Sequence, residues 1–131
     1  ISNNIEGDAL QALVMNKANS ILDIVAVNSP GHGNLRRDQL QDIATIVGAT
    51  YVSEAEGFDL TQVNPSSIGE ILGSAQRISV GSNSTTIING AGTTDSVKDR
   101  IDVIKTQINS SDDESNKLIL KERLLMSLVT L

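Results

Sequence analysis

The apolar positions of this chain change period several times, and each change predicts an element. From Ile5 to Asn19, Leu10, Leu13, Val14 and Lys17 keep the i, i+3, i+4, i+7 spacing of a helix, with Glu6 and Asp8 near its positive dipole end. ILDIVAVN, residues 21–28, is rich in β-branched residues and partly alternating, and Pro30, Gly31 and Gly33 stop it sharply, which predicts a buried strand. Helical spacing returns from about Leu35 through Leu40, Ile43, Ala44 and Val47, with Gly48 placed as a C-terminal stop. ATYVS, residues 49–53, predicts a further short strand. Gly57, Pro65, Gly69 and Gly73 then break any long period and predict connecting structure with one or two short turns.

RISVGS and STTIINGAG read as two strands around a polar turn. Val97, Ile101, Ile104 and Ile108 form a helical stripe. Ser110 or Ser111 is expected to cap a last helix that carries Asp112, Asp113 and Glu114 in its first turn and runs through LILKERLLMSL. The order helix, strand, helix, strand, strand pair, helix, helix implies an α/β or α+β fold.

Composition narrows the function classes. A chain of 131 residues has the size of one domain. Its net charge of −6 argues against a surface that tracks nucleic-acid phosphates. With no cysteine and a single histidine, a disulfide frame, a thiolate zinc site and a histidine-rich metal centre are all excluded. No apolar run reaches the length of a membrane span, and the first residues carry no leader pattern. The start at Ile1, running straight into a helix signal, leads us to expect a piece of a longer protein. One tyrosine, one phenylalanine and no tryptophan leave little for base stacking or aromatic cages, so recognition is expected to use aliphatic surface or backbone.

The candidate chemistry is sparse. In SPGHG, residues 29–33, His32 invites a general-base reading, yet only Asp38 and Asp42 stand near it and no nucleophile does; a tight strand-to-helix turn accounts for it better. GHGNLRR and NGAGTT resemble phosphate cradles in outline, but neither completes a nucleotide-binding motif. Asp112, Asp113 and Glu114 lack the alternating ligands and central glycine of a calcium loop. The sequons at Asn83 and Asn109 are short enough to arise by chance. On the first helix, Leu10, Val14 and Met15 spread over a wider arc than one buried stripe needs. Periodicity alone favours placing all three in the core; an exposed strip with a pliable methionine would instead accept many apolar partners.

EGDALQALVMNK, AVNSPGHGNLRRDQLQDIATIVGAT and STTIINGAG, in this order and at these separations, resemble the apical domain of group I chaperonins, the GroEL family. The family forms are close to EGEALATLVVN, a strand ending in APGFG before a helix with LQDIATLTGG, and TTTIIDGVG. The resemblance covers nearly the whole chain. It implies an α/β apical-domain fold, central β-sheets flanked by helices, with C-terminal helices leading towards an intermediate domain, and residues 1–131 forming one partial apical domain. It further implies a role in ATP-dependent protein folding, with non-native polypeptides and a co-chaperonin lid bound in an apolar groove between two helices, inside a ring of homo- or hetero-oligomeric subunits. Leu10, Val14 and Met15 match the apolar groove positions, Asn16 the polar position after them, and Glu6 an acidic position used between neighbouring subunits. By this resemblance the three apolar side chains are exposed for binding.

The same resemblance puts the first groove helix before Ile1 and assigns ATP and Mg to an equatorial domain outside this chain, so no catalytic, cofactor or metal residue is expected here. The setting it implies is a bacterial cytoplasm or an organelle interior, mitochondrion or plastid, without nucleic-acid or membrane partners. Several positions depart from the family pattern. His32 stands where phenylalanine is usual, and Asn19 replaces a basic residue that can pair with the acid at Asp8. NPSSIGEI is a few residues longer, and Val129 and Thr130 stand where the family has a Gly-Gly pair close to the hinge into the intermediate domain. Two other readings remain: a chaperonin-like assembly module that has lost client binding, and a small acidic hydrolase built around His32.

Overall fold

The computed structural model describes residues 1–129. Among these the architecture is mixed α/β, with five helices and one two-stranded antiparallel sheet. In chain order they are α1 (Gly7–Ala18), α2 (Gly33–Val47), α3 (Ile68–Ile71), β1 (Ala75–Val80), β2 (Thr85–Gly90), α4 (Thr94–Ser110) and α5 (Glu114–Val129), with 3₁₀ turns at Glu54–Glu56 and Leu60–Gln62. Val129 closes α5; Thr130, the other residue at the expected hinge, lies outside the described residues.

The core is a three-helix unit. α4 and α5 are joined by only Ser111, Asp112 and Asp113, and so short a link folds two helices back on each other. α2 packs across both. Ile46 from α2, Val97, Ile101 and Ile104 from α4, and Leu120 from α5 are buried, whereas Ile108, the end of the expected stripe, is half-buried. Two caps start the helices of the pair. Thr93 Oγ1 accepts from the Ser96 N–H at 3.2 Å ahead of α4. At α5 the capping oxygen belongs to Asp113, whose Oδ1 accepts from the Ser115 N–H at 3.0 Å, and not to the expected Ser110 or Ser111. Asp113 immediately precedes the first helical residue, where its carboxylate meets both the free N–H groups and the dipole.

The hairpin β1–β2 pairs Arg77 with Ile88, Ile78 with Ile87 and Val80 with Thr85, and its loop closes with Gly81 N–H donating to Ser84 O at 2.8 Å. Its open end serves as the C-cap of α2. Gly48 stops the helix at φ 71° as expected, and its N–H donates to Ala44 O. The next orphan carbonyls are taken by the hairpin: Ser74 N–H donates to Val47 O and Gly92 N–H to Ile46 O, each at 2.9 Å. This close approach requires glycine. A Cβ on Gly92 would strike Thr45 O and Ile46 O, and one on Gly90 would strike Ile46 O. Gly92→Ala is expected to lower the unfolding free energy by about 1–3 kcal/mol in urea titration, whereas Gly69→Ala, which faces open space on α3, should cost less than about 1 kcal/mol.

Two expected strands are not strands. Residues 21–28 belong to no ladder beyond an isolated parallel bridge between Ser2 and Asn28, and Ile21 and Val25 are 73% and 54% exposed. Residues 49–53 form no strand either and are held by Thr50 N–H donating to Ile71 O at 2.9 Å. Both sequences have the β-branched content of a strand, but a strand forms only against a neighbour, and beyond the single bridge at Ser2 neither pairs with one among the described residues. The expected central sheets are therefore reduced to one hairpin. The first helix is shorter than its predicted span from Ile5 to Asn19, because Gly7 at φ 60° opens it and Ser20 at φ 56° follows its end.

Candidate functional site

Among the described residues α1 makes no substantial contact with another helix or strand. None of its 12 residues is buried. What holds it is the chain that follows: Ile21 and Leu22 N–H both donate to Asn16 O, at 2.9 and 3.2 Å, and Lys17 Nζ donates to Ile24 O at 3.0 Å. Leu13 and Asn16 are half-buried. On the other side Leu10, Val14 and Met15 are 40%, 59% and 64% exposed, so the side chains singled out in the sequence form an open aliphatic strip. Leu10 and Val14 are one turn apart on one face, and Met15 widens the arc by a further 100°. Asn16 is directed elsewhere, its Nδ2 donating to Ala12 O at 2.7 Å. Glu6 is the exposed N-cap residue, and its carboxylate caps no N–H.

A second apolar surface was not foreseen. An open cleft of about 1110 Å³ lies between residues 26–30, α2, the hairpin and the end of α5, with Val27, Ile43, Val80, Ile88, Leu125 and Met126 among its lining and no charged side chain among the described residues there. Its walls include parts of residues 26–30 and of the hairpin. Their apolar content was legible, but their convergence depends on tertiary placement.

A buried ion cluster was also missed. Asp42 on α2 is 5% exposed and Arg123 on α5 is 2% exposed. Arg123 grips Asp42 with Nε to Oδ2 at 2.7 Å and Nη2 to Oδ1 at 3.1 Å. Arg100 on α4 adds Nε to Asp42 Oδ1 at 2.7 Å, and Arg123 Nη1 reaches Asp38 Oδ2 at 3.4 Å. Burial works against the charge on Arg123, but the hydrogen bond and the attraction of Asp42, joined by Asp38, outweigh it and raise its pKa. The cluster joins α2, α4 and α5 and fixes their mutual register. It also occupies the acids that a base at His32 would need. His32 itself is the exposed N-cap residue of α2, and its side chain makes no capping bond there.

Among the described residues no group of three or more His, Cys, Asp or Glu side chains is placed to hold a metal ion. Among them, too, no helix is long and apolar enough to cross a membrane. No protein-family model matches the chain.

Proposed function

We propose that this chain is the polypeptide-binding module of an ATP-driven chaperonin, an apical domain that takes non-native polypeptide and a co-chaperonin lid on α1. Leu10, Val14 and Met15 supply the contact, Asn16 holds the end of the helix, and Glu6 is available to a neighbouring subunit in the ring. ATP and Mg act in a part of the parent protein outside this chain. The observation that supports this reading is the unpartnered α1: a 12-residue helix with three aliphatic side chains standing open to water. Burying each against a client yields about 1.5–3 kcal/mol without demanding a sequence, which gives broad selectivity.

An amphipathic peptide of alternating aliphatic and polar residues should bind this protein weakly and with an apolar contribution that salt leaves unchanged. Val14→Ser, which removes two methyl groups from the strip, is expected to weaken that peptide about five- to tenfold in fluorescence anisotropy, equal to about 1–1.4 kcal/mol, without lowering stability. Unchanged affinity in Val14→Ser would rule out this strip as the contact. An exposed Ser96→Ala control elsewhere on the surface should leave the peptide affinity as it was.

A further inference from the structure

We propose that the α1 face selects cationic apolar segments, stretches of polypeptide in which lysine or arginine flanks aliphatic residues. This rests on the reading of α1 as a polypeptide-binding face and adds the chemical class of its clients. The charge inventory around the strip carries it. Asp8 precedes Met15 by seven residues, so the two point within about 20° of one another on the helix, two turns apart. Asp8 is exposed and has neither a hydrogen bond nor an ion pair among the described residues. Glu6, one turn or less away, is exposed and caps nothing. The one basic residue of α1, Lys17, is about 13 Å further along the axis and donates to Ile24 O.

Five of the nine other basic side chains of the chain are engaged elsewhere. Arg36 is committed to Gly31 O, Arg37 to Asp38, Arg100 and Arg123 to Asp42, and Lys117 to Glu114. The strip is therefore aliphatic along its length and anionic at its N-terminal end, on a chain whose net charge is −6. A peptide cation laid beside Asp8 gains a charge pair, while its aliphatic residues cover Leu10, Val14 and Met15. The positive end of the helix dipole already favours a carboxylate in the first turn, so Asp8 has a structural role as well. That role alone would leave Asp8 indifferent to the charge of a bound peptide, and this separates the two.

The test uses two peptides with identical aliphatic positions, one carrying Lys and the other Glu at the flanking positions, titrated into the protein by fluorescence anisotropy. At about 0.01 M salt the Lys peptide is expected to bind about two- to fivefold more tightly for the Asp8 pair, and at about 1 M salt the two should converge. Asp8→Asn should remove most of the difference, and Asp8→Glu should restore it. Glu70→Gln, which deletes an equal charge from α3, should leave it intact. Equal binding of both peptides at low salt would overturn the selectivity and leave the apolar reading standing. An advantage that survives Asp8→Asn in full would also overturn the assignment. Failure of either peptide to bind would overturn this inference and the function proposed above together.

Discussion

Asp42→Ala is expected to lower the unfolding free energy by about 3–5 kcal/mol. The reason is asymmetric. With Asp42 present, Arg123 and Arg100 each hold a carboxylate oxygen at 2.7 Å, and the buried charges are compensated. Without it, a guanidinium that is 2% exposed keeps its charge and loses its main partner, because Asp38 is 3.4 Å away and itself only half-buried. At about 0.05–0.15 kcal/mol per residue a chain of 131 residues has a total stability of about 7–20 kcal/mol, so such a loss removes a substantial share of it. Urea denaturation followed by circular dichroism measures it. Pairing Asp42→Ala with Arg123→Met should recover part of the loss by removing the stranded charge, whereas a loss below about 1 kcal/mol in the single variant would mean that the cluster is solvated.

Ile104→Ala should cost about 2–5 kcal/mol. Ile104 is fully buried at the centre of α4, between the α2 and α5 contacts, and its neighbours Ile101 and Val97 line the same face. A cavity there has rigid helices on its sides and cannot collapse easily. By contrast Val103→Ala, one residue away on the same helix but exposed, should change stability by less than about 0.5 kcal/mol. The pair of measurements checks the rotation of α4 directly; similar costs for the two would place the core on a different face.

The parts of the fold legible in the sequence are those whose cause is local. Gly48 ends α2 because its own backbone takes the left-handed conformation. The spacing of Val97, Ile101 and Ile104 sets the buried face of α4, and the polar turn between RISVGS and STTIINGAG sets a hairpin. Residues 21–28 were misread because β-propensity describes a chain that fits a sheet, and the sheet must be supplied by other residues. The ion cluster left a signal that a stripe of apolar residues conceals. Arg100 falls three residues after Val97 and four before Ile104, and Arg123 falls three residues after Leu120, so both arginines lie on core-facing positions. Asp38 and Asp42 share a face of α2 at a spacing of four. A charged residue at a core position demands an opposite charge, and two arginines with two aspartates satisfy that demand.

The strip on α1 was legible as residue types but not as a surface, because the periodicity of Leu10, Val14 and Met15 suits a buried arc equally well. What separates the alternatives is that α1 is held by the chain that follows it and makes no substantial contact with another helix or strand among the described residues, which is a tertiary fact. The cleft between the hairpin and α5 is a competing apolar surface with no charged side chain among its described lining residues. Charge and aliphatic side chains occur together on α1, and a client would meet both in one contact.

Amide chemical-shift mapping of the bound amphipathic peptide tests the central claim most directly, because it reports which of the two surfaces is covered. Perturbations centred on residues 10–17, saturable and absent in Val14→Ser, are the result predicted here. Perturbations centred on residues 26–30, 78–88 and 125–126, with α1 unchanged, would move binding to the cleft and contradict the assignment of α1 as the polypeptide-binding face.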